Sequence, residues 1–85
     1  MYERLNPEFL NELNEIQKAG DLKHKGDNWK DIKNPKRYFG AKIFRHLFKY
    51  FILGQVYDKN EPQFTHLTKA AQDIQLLFIR INNEL

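Results

Sequence analysis

The sequence predicts an all-α domain, a small three-helix bundle with two long antiparallel helices. Three observations point there. Proline stands three times where a helix would begin (Asn6-Pro7, Asn34-Pro35, Glu61-Pro62), and proline suits the first helical position, where its missing N–H costs nothing. Apolar residues recur at three- and four-residue spacing after each proline. No segment alternates with the two-residue period of a strand. The first helix, about 7–19, carries Phe9, Leu10, Leu13 and Ile16 on one face and ends at Gly20, with Lys18 in its last turn. The second, about 35–53, stacks Gly40, Ile43, Phe44, Leu47, Phe48 and Phe51 on its apolar face, puts Lys42, Arg45 and Lys49 opposite, and stops at Gly54. The third, about 62–82, repeats Leu67, Ala70, Ala71, Ile74, Leu77, Phe78 and Ile81, the clearest apolar stripe in the chain. Between the first two helices, residues 20–34 form a polar loop centred on Trp29, the one tryptophan. A single helical domain, 1–85, is expected.

Eighty-five residues leave no room for a second domain or for a large enzyme. With no cysteine there is neither a disulfide nor a thiolate zinc site, and this composition fits a reducing, cytoplasmic setting. Residues 1–7 lack a basic-then-apolar leader pattern, and Lys42, Arg45, His46 and Lys49 interrupt the longest apolar stretch, so neither export nor a membrane span is expected. Twelve residues are aromatic, more than a short bundle can bury. The surplus, Tyr38, Phe39, Tyr50, Ile52, Leu53 and Ile79, predicts a homo-oligomer. The net charge of +3 is uneven: −3 over residues 1–17, +7 over 18–49 and −1 over 50–85. A basic middle between acidic flanks suits an anionic ligand.

Several constellations bear on chemistry. His66, Asp73 and Arg80 recur every seven residues, with Lys69 on the same flank. If the two long helices are antiparallel, His46 faces that flank, and His46, His66, Asp58, Glu61 and Asp73 gather two imidazoles and up to three carboxylates. Such a set could hold a divalent metal or exchange protons near neutral pH. A structural role for the histidines carries more weight than a metal, because no tight ligand motif such as HExxH occurs. Glu12-x-x-Glu15, with Glu8 a turn earlier, has the spacing that holds magnesium in all-α pyrophosphohydrolases. Without a second carboxylate pair it reads as a solvated acidic face near a helix N-terminus. There is no serine, no phosphate-binding glycine motif and no candidate nucleophile. Trp29 among Lys23, Lys25, Lys30, Lys33, Lys36 and Arg37 is either a base-stacking platform or a plug at one end of the bundle.

The run His24-Lys25-Gly26-Asp27-Asn28-Trp29-Lys30, then Tyr38, Arg45-His46-Leu47, Gly54-Gln55, Asp58, Glu61, His66-Leu67 and Ala70-Ala71-Gln72-Asp73, resembles the small phage-associated domain family named for the N-terminal region of dATP/dGTP diphosphohydrolase. The family pattern is similar to K-Y-G-x-x-N-W, R-H-L, G-E, D-x-E-T-G and H-L-x-H-A-x-x-N. The likeness covers roughly residues 9–77. It implies that Asn28, Trp29, Arg45, His46, Asp58, Glu61 and His66 belong to a nucleotide site. Lys69 stands where the family has its second His, Gln55 replaces a Glu, Asp73 replaces an Asn, and the Asp58–His66 spacing is one residue longer. Exchanging a His for a Lys weakens metal binding and favours phosphate.

The leading expectation is therefore a small phage-type protein that binds, and sequesters, a purine nucleotide or cyclic-nucleotide signal. Lys42, Arg45 and Lys69 would contact phosphate, Trp29 or a neighbouring Tyr would stack on the base, and His46 and His66 would donate hydrogen bonds. Asn28 and Asp73 complete the expected ligand set. The alternatives are a dATP/dGTP pyrophosphohydrolase using magnesium or manganese at Asp58 and Glu61, and an anti-defence inhibitor that binds a host protein. Nucleic-acid binding ranks last, because the basic residues divide between a loop and a helix face not continuous with it.

Overall fold

The computed structural model describes residues 5–24 and 30–84. Three helices follow in order: α1 (Pro7–His24), α2 (Pro35–Phe51) and α3 (His66–Glu84). The fold is all-α; among the described residues the one β-type contact is an isolated antiparallel bridge between Tyr57 and Thr65. No described helix is long and apolar enough to cross a membrane.

Both Asn-Pro starts are as the sequence indicates. The Asn6 side chain accepts from the Phe9 N–H at 2.8 Å, and the Asn34 side chain accepts from the Arg37 N–H at 3.2 Å, each satisfying an amide that the first turn leaves without a partner. The third start is corrected. Pro62 is the second residue of a β-turn closed by the Phe64 N–H on the Glu61 carbonyl at 2.9 Å, a position for which its fixed φ also suits it. α3 begins at His66, capped by Thr65, whose Oγ1 accepts from the Thr68 N–H at 3.1 Å.

α1 runs through Gly20 to His24 instead of ending at residue 19, so the loop expected over 20–34 is shorter. A glycine inside a helix costs about 1 kcal/mol, and a hydrogen bond from the Gln17 side-chain amide to Asp21, one turn on at 2.9 Å, spans it. α2 gives out at Phe51, two residues early, where the chain turns through Gly54 at φ +68° and the Gln55 N–H reaches the Lys49 carbonyl at 2.9 Å.

α2 and α3 are antiparallel. His46 meets His66, while Lys42, a turn earlier on α2, acts on Asp73, two turns later on α3. α1 packs against α3, tied by Glu12 to the α3 N-terminus and by Gln17 to Gln72.

The side of α2 and α3 that faces inward is not the one their apolar stripes suggest. Phe39, expected to be left over, is 2% exposed and heads the apolar core with Phe64 and Ala70, while Phe44 of the apolar stripe is 75% exposed. On α3 the stripe residues Leu67, Ile74, Phe78 and Ile81 are likewise exposed, and His66, Thr68 and Gln72 are buried. The physical reason is polar pairing. His46 and His66 share a hydrogen bond, and the Thr68 hydroxyl and the Gln72 side-chain N–H find acceptors on α1, which offsets part of the cost of burying them, although His66 Nε2 and Gln72 Oε1 are left without partners among the described residues.

Candidate functional site

The site is built where the α2–α3 pair meets the connection between them. Residues 56–66 fold back on themselves, closed by the Asp58 N–H on the Phe64 carbonyl at 3.0 Å and the His66 N–H on the Val56 carbonyl at 2.9 Å. This closure carries Asp58 and Glu61 onto the polar flank of α3, which is why residues 58, 61, 66 and 69 meet.

At the centre the Nδ1 atoms of His46 and His66 lie 2.8 Å apart, so one ring donates its Nδ1–H to the other's bare Nδ1. Both rings are held neutral at pH 7. Burial is the main cause in each, and for His46 the neighbouring His66, Arg45 and Lys69 help push its pKa down to about 4. His66 moves in the same direction. Its Nε2 is buried and has no hydrogen-bond partner among the described residues.

Beside the imidazoles, the Lys69 ammonium lies 2.8 Å from Asp58 and bonds Glu61 as well. Burial works to raise the Asp58 carboxyl, but the hydrogen bonds from Lys69 and from the Asn60 N–H prevail and hold it at about 2. Burial likewise works against the charged Lys69, and the two carboxylates overcome it, so the ammonium is fixed at any ordinary pH.

An open cleft of about 470 Å³ extends from this cluster between α1 and the α2–α3 pair. α2 lines it with Tyr38, Lys42, Arg45 and His46, the connection with Asp58 and Glu61, and α3 with Lys69 and Asp73. His66 lies behind His46 and does not line it. Tyr38, Lys42 and Arg45 fall at i, i+4 and i+7, one side of the helix, and the Lys42 ammonium sits 4.6 Å from the centre of the Tyr38 ring. Asp73 makes no hydrogen bond among the described residues; burial raises its carboxyl to about 6, against the opposing pull of Lys42, Lys69 and Arg45.

The cleft is not the strongly basic surface that the +7 middle segment suggests. Its charged lining is three cations and four acids, and Lys69 is engaged with two of the acids. Positive charge available to a ligand is therefore at the Lys42–Arg45 rim.

Of the residues singled out from sequence, Lys42, Arg45, His46, Asp58, Glu61, Lys69 and Asp73 share this cleft and His66 backs it. Asn28 and Trp29 lie outside the described residues. Tyr38, counted among the surplus aromatics and also among the residues that carry the family resemblance, lines the cleft with Lys42 and Arg45, as its spacing from them allows. Glu12, read as part of a solvated acidic face, instead accepts from the Thr65 N–H at 3.2 Å and the Thr68 hydroxyl at 2.9 Å.

Donor atoms of His46, Asp58 and His66 lie within 4.8 Å of one another. Two imidazoles and one carboxylate suit a nitrogen-accepting divalent ion such as manganese, iron or zinc. They do not suit magnesium, which takes oxygen ligands and keeps several waters. Glu61, expected to join Asp58 on a metal, stands outside this group of three, on Lys69.

No curated protein and no solved structure matches the chain. A family model does match, over residues 1–83, nearly the whole length and all of the cleft. The chain belongs to the family described as dATP/dGTP diphosphohydrolase, N-terminal.

Proposed function

We propose that the cleft binds a purine nucleotide and sequesters it. The observation that carries this reading is the row Tyr38, Lys42, Arg45 along one side of α2: an aromatic face followed, turn by turn, by two cations. That order matches a nucleotide, whose base stacks and whose phosphates follow it at a similar distance. Asp73, half-buried on the opposite wall without a hydrogen-bond donor of its own, accepts from a base or sugar. The family supports a nucleotide as the ligand class. Phage origin, a cyclic-nucleotide ligand and a role against host defence belong to this reading as its finer extensions.

Within it, Lys69 serves as a clamp that keeps Asp58 and Glu61 in place, and His46 is the neutral imidazole that meets the ligand. Calorimetric titration with dGTP, dATP and a pyrimidine triphosphate is the test. Tighter purine binding is expected, with a loss of about ten-fold for Arg45→Ala and for Lys42→Ala, the size of one charge-assisted phosphate contact. Equal affinities for purine and pyrimidine, unaffected by either substitution, would end the proposal.

A second reading, nucleotide diphosphohydrolysis, is favoured by the His46, Asp58 and His66 donors. Incubation with dATP or dGTP plus Mn²⁺ or Mg²⁺ decides between them. Sequestration returns the nucleotide intact. Pyrophosphate release that His66→Ala abolishes would replace sequestration by hydrolysis.

A further inference from the structure

The two histidines at the centre of the site are not equivalent, and the difference decides what the cleft offers a ligand. Their Nδ1 atoms lie 2.8 Å apart, a separation that needs one hydrogen between them, so one Nδ1 donates and the other is bare. The surroundings break the tie. His66 is 1% exposed, and its Nε2 is buried with no partner among the described residues. A hydrogen on that Nε2 would be a buried N–H that meets no acceptor, which folded proteins rarely keep. Placed on Nδ1 instead, the same hydrogen is shared with His46. The Lys49 cation acts on His66 as well, and a positive charge favours a bare ring nitrogen over an N–H. His46 is the accessible member of the pair. It lines the cleft, its Nδ1 is turned back to His66, and its Nε2 makes no hydrogen bond among the described residues without being one of the fully buried nitrogens.

We infer that His66 is a positioning residue: it donates its Nδ1–H to His46 Nδ1 and so fixes the His46 hydrogen on Nε2, as a donor to an unprotonated phosphate oxygen of a nucleotide in the cleft. The placing of the hydrogens stands on the pair itself, whereas the phosphate oxygen as acceptor rests on the nucleotide reading. Arg45 and His46 are consecutive and both line the cleft, so the imidazole N–H extends the row of Lys42 and Arg45 at the end away from Tyr38.

This arrangement has a chemical consequence. An imidazole whose cleft-facing nitrogen already bears hydrogen holds an anion but cannot take a proton from water. The reverse arrangement, with His46 donating to His66, would present a bare Nε2 and therefore a base. One shared hydrogen thus separates a cleft set for retention from a cleft set for hydrolysis.

Nitrogen NMR reads the two arrangements directly. The chain has three histidines, and His24→Gln with backbone-to-ring correlations assigns the other two. In the ligand-free protein at pH 7, His46 should show a bare Nδ1 and a protonated Nε2, and His66 the reverse. In His66→Leu the His46 ring should lose this fixed pattern and average between tautomers, while His66→Asn, whose Nδ2–H donates from the same place, should keep it. A space-filling role for His66 would leave the His46 pattern unchanged in both variants; should the leucine variant unfold, the wild-type spectrum still decides. Saturating dGTP should shift the His46 Nε2–H and leave its Nδ1 bare. A bare His46 Nε2 in the wild type overturns the inference, and so do two rings that average between tautomers. With the hydrogens placed as stated, dGTP that binds without moving the His46 Nε2–H overturns the phosphate contact alone. Failure of dGTP to bind at all overturns the nucleotide reading and that contact with it, while the ligand-free spectrum upholds the role of His66.

Discussion

Removing the Lys69 ammonium would leave Asp58 and Glu61 with no cation between them, in a place where neither is well hydrated. Breaking a buried pair from one side costs about 3–5 kcal/mol. Lys69→Met should lose stability of that order in urea at pH 7, and the deficit should narrow below pH 4 as the carboxyls protonate. In the wild type the signs can be separated. Asp58, lowered to about 2 from 3.8, contributes stability that is present above pH 4 and lost as pH falls through 2. His46, lowered to about 4 from 6.5, binds fewer protons folded than unfolded, so its contribution is present above pH 6.5 and lost as pH falls from there to 4. Asp73, raised to about 6 from 3.8, has the opposite sign and costs stability above pH 6. Asp73→Asn should therefore raise stability at pH 7 by on the order of 2 kcal/mol while weakening the nucleotide, a division that paired melting and titration curves would show. Sequence could place Lys69, Asp73 and His66 on one flank, since a helix fixes which positions are neighbours. That Lys69 is engaged by two carboxylates was not readable, because both arrive from a connection whose path depends on the bridge between Tyr57 and Thr65.

Helix starts were legible where the capping side chain adjoins the proline, at Asn6 and Asn34, and missed where proline served a turn and Thr65 served the cap three residues later. The two glycines that border helices have opposite roles. At Gly20, inside α1, an added methyl meets nothing within 4 Å, so Gly20→Ala should stabilise by up to about 1 kcal/mol. At Gly54, φ +68° excludes side chains from comfort, and Gly54→Ala should cost about 1 kcal/mol and fray the end of α2. Glu12 holds α1 through two hydrogen bonds at the N-terminus of α3, where a negative charge also meets the helix dipole. Glu12→Ala should cost about 1–3 kcal/mol, and thermal melts of the three variants would rank them as gain, loss and larger loss.

At the level of the molecule, amphipathic stripes told that helices form and roughly where, and they misled about what is inside. A stripe reports that a helix has one apolar side; it does not say whether that side meets its own chain or another. Here Phe39 and the histidine pair form the inside, and Phe44, Phe48 and Phe78 lie on outer faces. The charge distribution misled in the same way, since the +7 of residues 18–49 is spread along the chain, and the cleft balances its cations with acids. Affinity for a nucleotide should accordingly fall only gently with added salt, as expected for two phosphate-facing cations, and not with the steep dependence of a polyanion site. The cleft has one wall of a different character from the rest. Its floor is a pair of helices packed along their length, but α1 packs on α3 far less extensively, with polar ties from Glu12 and Gln17 holding it there. Segments with few apolar contacts open at the lowest free energy, which makes α1 a jaw that can part from the body without unfolding it. In hydrogen-exchange measurements the α1 amides should exchange well before those of α2 and α3, and a saturating nucleotide should slow α1 most, so that the release of ligand is timed by the local opening of a single helix.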